Sequence, residues 1–172
     1  MKKIQAYILG QVISSNSSEA ISLHKKSSFG EPVGEKIQYS LSETLFLSEK
    51  GKLDLWSKKK KIPKKDLLPL LKRIDKKIHL KYPAFKDLRK RGYVLKTALK
   101  FGADFRVYDK GQKPGKNHAK WVLFVEHESN KLAMHEFSAK NRVAHSTKKN
   151  LLLAIIDEEG KITYYEVKWT RP

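Results

Sequence analysis

Apolar positions change their spacing several times along this chain, and each change marks an element. Up to residue 56 they fall in short alternating runs, KIQAYIL, QVIS and AISLH, divided by Ser/Asn/Gly segments. That pattern predicts small antiparallel strands. Ser40-Leu-Ser-Glu43 has the form of a capping box opening a short helix, with Gly51 as its terminator. Over residues 66–80, Leu67, Leu70, Leu71, Ile74 and Ile78 share one helical face with lysines opposite. Pro69 fits that helix only in its first turn. The position before Pro83 disfavours helix, so the helix is expected to stop before Tyr82-Pro83. A length of 172 residues accommodates two small domains, and this break divides them into 1–82 and 83–172.

Beyond the break the expected order is helix, strand, strand, strand, helix, strand, strand. PAFKDLRKR is a short helix with Pro83 at its start and Gly92 as its C-cap. YVLKTALK and ADFRVYD alternate as strands joined at Phe101-Gly102, and AKWVLFVE is a third. A helix near Ser138–Lys149 precedes LLLAIID, whose unbroken apolar run suits a strand buried on both faces. The acidic turn DEEG leads into a last strand, KITYYEVKW. The fold class is therefore α/β in the α+β sense: a small antiparallel sheet with helices, then a mixed sheet flanked by helices.

Charge adds a partner to this picture. Net charge is +19, which calls for a polyanion. Residues 57–100 hold 17 Lys/Arg against Asp66, Asp75 and Asp87, so +14 of the +19 lies there. The Lys58–Lys61 run alone is also what a solvated loop would carry. Cysteine is absent, which removes disulfides and thiolate metal sites. The longest apolar run, Leu151–Ile156, is far short of the roughly 18 residues of a membrane span. MKKIQAYILG is too short and too interrupted for a signal peptide. A cytoplasmic protein with no membrane contact is expected.

Candidate chemistry gathers between Phe85 and Lys149. Tyr108 ends a strand-like run, His118 follows a Gly/Pro loop, and Lys149 closes a helix-like run. Metal-free RNA cleavage needs that much: a proton acceptor, a proton donor and a cation for the phosphorane. Around them stand KDLRKRGYVLKT, KFGADFRVY, PGxxHA, RVAHSxxK and AIIDEEGxITYY. These five ordered segments closely resemble the archaeal tRNA-splicing endonuclease family. The resemblance covers most of the chain and is dense in its last 88 residues. It implies a C-terminal nuclease domain that cleaves precursor tRNA at bulge–helix–bulge junctions, giving 2′,3′-cyclic phosphate and 5′-hydroxyl ends. It assigns the base role to Tyr108, the acid role to His118 and the electrostatic role to Lys149.

The pattern after Ala144-His145-Ser146 usually continues with an arginine and two lysines; here it reads Thr147-Lys148-Lys149-Asn150, with Lys149 in the catalytic register. Asp109 stands where glutamate is commoner. Tyrosine is only about 0.1% phenolate at pH 7, so as a base Tyr108 needs cations such as Lys149 or Lys110 nearby, or else it orients the hydroxyl.

Further roles come from the resemblance. Arg142, two turns before Lys149 on one helical face, would clamp a flipped-out base together with an aromatic of the last strand. Tyr164 is the matching aromatic and Trp169 the nearby alternative. His145 reads as a packed histidine, and His127 and His135 as surface groups. No metal-ligand spacing is present and no cofactor is expected. One chain carries one trio, whereas a precursor has two junctions, so the resemblance implies a tetramer of copies or of copies plus non-catalytic paralogues. Asp157, Glu158 and Glu159 form the acidic turn that would enter a neighbour's basic cleft. A basic ribosomal or chaperone-like RNA-binding protein would explain the charge but not the trio. A structural subunit of the endonuclease should have lost the trio.

Overall fold

Ile4, Ala6 and Ile8 point inward along β1 (Ile4–Leu9) while Gln5, Tyr7 and Leu9 face solvent, so one face of the first sheet carries a core. The computed structural model describes residues 2–172 and divides along the chain between Tyr82 and Pro83. In the first unit β1 pairs antiparallel with β2 (Val12–Ser15). Its other neighbour, β5 (Leu53–Ser57), runs parallel to it. The sheet is therefore mixed, not antiparallel as expected, because helices and a hairpin intervene between β1 and β5 and return the chain in the same direction. That hairpin is β3 (Glu31–Val33) with β4 (Lys36–Tyr39), and β6 (Lys60–Lys61) completes the order β3-β4-β2-β1-β5-β6.

The AISLH segment is helical, not a strand: it belongs to α1 (Ser18–Ser27). Ser17 caps it by accepting from the Ala20 N–H, Glu19 occupies the first turn, and Ala20 and Leu23 are buried at i, i+3 spacing. A five-residue apolar run did not discriminate between the two periods. The second helix, α2 (Leu41–Glu49), opens on the capping box that its Ser40 and Glu43 predict. Gly51 closes it at a left-handed φ of 68°. Glu43 also works beyond its own helix. It is 3% exposed, and its carboxylate accepts from the Gly30 N–H at 2.9 Å, the Ser40 N–H at 3.0 Å and the Ser40 hydroxyl at 3.0 Å.

The break expected before Pro83 falls earlier. α3 spans Lys64–Ile74 and α4 spans Ile78–Lys90, with Pro69 and Pro83 inside them. Asp75 makes the break. Its backbone is extended, its carboxylate accepts from the Lys77 N–H at 2.9 Å and binds the Lys81 ammonium at 2.8 Å, and its carbonyl accepts from Ile78. Each proline removes one i→i−4 donor. The residues whose carbonyls lose that donor, Lys65 and His79, are both exposed, so water can replace it.

In the second unit β7 (Val94–Ala98), β8 (Ala103–Tyr108), β9 (Trp121–His127), β10 (Asn150–Ile156) and β11 (Ile162–Val167) form a sheet in the order β11-β10-β9-β8-β7. Only β9 and β10 are parallel, joined through α5 (Met134–Ser146). α4 covers one face, with Phe85 against Phe105 at 5.6 Å between ring centroids. α5 covers the other, where Ala144 and Phe137 pack on Val122, Phe124, Leu151 and Leu153. Leu151–Ala154 of β10 are all buried, as their unbroken run requires. No helix among the described residues is long and apolar enough to cross a membrane.

Glu43 yields a stability test. Glu43→Ala strips acceptors from the Gly30 and Ser40 amides and should cost about 2–4 kcal/mol in urea unfolding. Ser42→Ala, at a neighbouring buried position outside this network, should cost less.

Candidate active site

Backbone register brings Tyr108 and Lys149 to one end of the second sheet. Val107 pairs with Trp121, and Trp121 with Asn150. The Lys120 N–H donates to the Val107 carbonyl at 2.9 Å, and the Asn150 N–H to the Lys120 carbonyl at 3.0 Å. One step outward, Tyr108 and Lys149 therefore flank Lys120. With strands about 4.8 Å apart, their backbones lie about 10 Å from each other. Side-chain alternation turns both toward the α5 face. Trp121 and Asn150 point to the opposite face, where their side chains donate to Glu166 Oε1 at 3.1 and 2.6 Å.

Lys149 does not close the helix. α5 ends at Ser146 and Thr147, whose hydroxyl donates back to the Val143 and Ala144 carbonyls at 2.8 and 3.1 Å. Lys148 then takes a left-handed φ of 55°. Its N–H reaches the His145 carbonyl at 3.0 Å, and the Lys149 N–H reaches the Ala144 carbonyl at 2.8 Å. This is the paired closure of a Schellman motif, with lysine where glycine is usual. The expected shared helical face of Arg142 and Lys149 is thus corrected: Arg142 is on α5, and Lys149 enters β10.

Lys149 is half-buried. Its ammonium donates to the Thr147 carbonyl at 2.8 Å and lies 5.5 Å from the Phe101 ring centroid. Burial pulls its pKa below the ordinary lysine range, and the nearby Arg106 charge lowers it further. Lys148 is exposed. Tyr108 is buried at the end of β8. His118 is exposed in the loop between β8 and β9, two residues before Lys120. Asp109 ties the ends of that loop, accepting from the Lys110 N–H at 2.8 Å and the Lys120 ammonium at 3.4 Å. The Lys110 amide is the main reason the Asp109 carboxyl titrates below its usual range. Inside the loop, Asn117 accepts from the Lys113 N–H at 3.0 Å.

Arg142 and Tyr164 are not brought together within one chain. Tyr164 pairs with Ala154 on the α4 face, and its hydroxyl donates to Asp87 at 2.8 Å. Burial, then that carboxylate, drives its pKa above the usual tyrosine range. Trp169 lies instead beside α5, its ring centroid 4.3 Å from that of His145, with the Arg171 guanidinium 5.2 Å away. His145 is exposed on the helix, one turn after Arg142, and its packing is against the Trp169 ring. His127, near-surface, accepts from or donates to Ser129 at 2.8 Å, and His135 is exposed.

The acidic turn divides its labour. Asp157 builds it, accepting from the Lys161 N–H at 2.8 Å. Glu158 and Glu159 project as exposed side chains, the latter paired with Lys161 at 2.6 Å. No group of three or more His, Asp or Glu among the described residues is placed to hold a metal ion. Sequence reasoning passed over Phe101 and Arg106 as site residues, and saw in Asp109 only a replacement of glutamate. Arg106 was within reach, since it stands two residues from Tyr108 on an alternating strand and so shares its face.

Two family models match this chain. Residues 5–68 match the tRNA intron endonuclease N-terminal domain, and residues 78–164 match the tRNA intron endonuclease catalytic C-terminal domain. The chain belongs to the tRNA intron endonuclease family. It is 39% identical over 171 residues to the tRNA-splicing endonuclease of Pyrococcus horikoshii, across 99% of this chain and 98% of that protein. The tRNA-splicing endonuclease of Methanothermobacter thermautotrophicus is 39% identical over 150 residues, 87% of each chain. That of Nanoarchaeum equitans is 44% identical over 138 residues, 77% of this chain and 88% of its own.

The helix closure carries its own test. Lys148→Gly removes a Cβ from a left-handed position, where L-residues are disfavoured by about 1–2 kcal/mol, partly offset by glycine's greater unfolded-state freedom. A net gain of about 0.5–1 kcal/mol is expected in thermal unfolding.

Proposed function

We propose that this chain cuts precursor tRNA at bulge–helix–bulge exon–intron junctions by metal-independent attack of the adjacent 2′-hydroxyl. The observation that supports this reading is the register by which Tyr108 and Lys149 share one face at one sheet end, with His118 in the loop that joins β8 to β9 there. Tyr108, His118 and Lys149 all lie within the stretch matching a catalytic domain.

In the proposed reaction Tyr108 takes the proton of the 2′-hydroxyl, or holds that hydroxyl for attack. The 2′-oxygen bonds to phosphorus while the bond to the 5′-oxygen breaks. His118, exposed and able to carry a proton near neutrality, gives that proton to the departing oxygen. Lys149 faces the extra negative charge of the phosphorane, a role worth several kcal/mol. Products are a 2′,3′-cyclic phosphate and a 5′-hydroxyl. Because Lys149 loses its proton at a lower pH than an ordinary lysine, cleavage should decline on the alkaline side of the profile as that proton leaves.

For the flipped-out base, Arg142 with Trp169 is the better-supported pair, since both belong to the α5 side. An arginine and an indole offer two planar surfaces. Two junctions in one precursor require two such sites, so we assign the chain to a tetramer with copies of itself or paralogous subunits. Glu158 and Glu159 would reach a neighbour.

His118→Ala should lower single-turnover cleavage by about 10²-fold or more, with precursor tRNA binding nearly unchanged. Wild-type activity should survive EDTA. Equal loss of binding and cleavage in the variant, or rescue of EDTA-treated enzyme by trace magnesium or zinc, would overturn the assignment.

For assembly the informative variant is Glu158→Lys with Glu159→Lys, leaving Asp157 because it holds the turn. The particle mass by light scattering and the cleavage rate should both fall, with thermal unfolding unchanged. Retention of both mass and activity would remove the turn from the contact.

A further inference from the structure

A cleft of about 460 Å³ lies between α4 and the start of β11, on the α4 face of the second sheet, the face turned away from Tyr108 and Lys149. Lys86, Lys90, Arg91 and Lys161 line it, and Asp87 is the one acid among its lining residues. That acid is already engaged. Asp87 Oδ2 accepts from Tyr164 at 2.8 Å and from Arg91 Nε at 2.9 Å, while the Arg91 guanidinium carbon stands 5.9 Å from the Tyr164 ring centroid. The guanidinium is thus held by its Nε against a carboxylate and beside an aromatic ring. Its NH1 and NH2 groups are left for a ligand. A planar, oriented guanidinium suits a phosphate, which it can grip with two parallel hydrogen bonds.

Arg89 is engaged, donating to the Tyr93 carbonyl at 3.3 Å, whereas the side chains of Lys90 and Arg91 are exposed. Lys161 neutralises Glu159 at the rim. Lys90 is exposed in the cleft wall.

We propose that this cleft is a second RNA site, binding a backbone phosphate of the substrate through Arg91 and Lys90, with Lys86 and Lys161 adding charge. The proposal rests on the reading of the substrate as RNA. The Lys161 wall follows the end of β10 that lies about 20 Å from Lys149, whereas the Lys90–Arg91 wall runs on through Gly92 and Tyr93 to Val94, the strand partner of Tyr108. The bound phosphate therefore belongs to RNA on the sheet face opposite the bond being cut. Such a contact positions the substrate without reading its sequence.

The test separates binding from cleavage by using precursor tRNA with 2′-deoxy nucleotides at both cleaved positions, which lacks the nucleophile. Affinity is measured from 50 to 200 mM salt for the wild type, Arg91→Gln and Lys90→Gln. Each variant should bind about tenfold more weakly, and its log K against log salt slope should shrink by about one. Lys90→Gln is the cleaner arm, because Arg91→Gln also leaves the Asp87 charge less covered; both positions are exposed, and thermal unfolding checks the fold. Unchanged affinity and slope in Lys90→Gln and Arg91→Gln would overturn the site. So would a fall in particle mass by light scattering that accounts for the loss, which would make the cleft a contact between protein chains. If the wild type failed to cut unmodified precursor tRNA, the proposed reaction would fall while these binding measurements still decided the cleft.

Discussion

Parallel pairing of β9 with β10 is the constraint on which the second unit depends. Parallel neighbours cannot be joined by a tight turn, so the chain crosses over through α5 and covers one sheet face on the way. The same pairing puts the starting ends of β9 and β10 together. β8, antiparallel to β9, finishes there. Three chain ends thus meet in a place that no local sequence signal specifies. The apolar row of Val122, Phe124, Leu151 and Leu153 under α5 stabilises that pairing; at roughly 25 cal/mol per Å² of buried apolar surface it is a major favourable term for this unit.

Legibility in the sequence followed the range of the interaction responsible. Ser40 and Glu43 announce their helix because a capping box is complete within four residues. LLLAIID reads correctly as a doubly buried strand because burial leaves its mark on every residue. The break between α3 and α4 was placed at the wrong punctuation: Tyr82-Pro83 looked stronger than Asp75, yet Asp75 has an amide, a carbonyl and an ammonium to work with. Lys149 was assigned to a helix since Thr147 and Lys148 carry no glycine to signal its end. The separation of Tyr164 from Arg142 was invisible, being set by the β10–β11 register, a property of two strands and not of one. The identities of the candidate site residues were readable from motif spacing, while their placement on faces was not.

Basic charge is concentrated in the sequence, and its uses differ. Arg91 is oriented by Asp87, Lys81 by Asp75, and Lys120 by Asp109. Exposed pairs of this kind contribute little to stability. Their effect is directional: an acid beside each cation fixes where its positive charge points.

Asp109 gives this last point its sharpest form. One carboxylate holds both ends of the loop that carries His118, and Asn117 stiffens the interior. A free loop of this length would sample many shapes, and a substrate would have to select one of them at the expense of affinity. With its ends joined by that ion pair, the loop has fewer shapes open to it than a free segment of the same length. Asp109 thus acts on the loop that carries the candidate acid without itself being assigned a place in the proposed reaction.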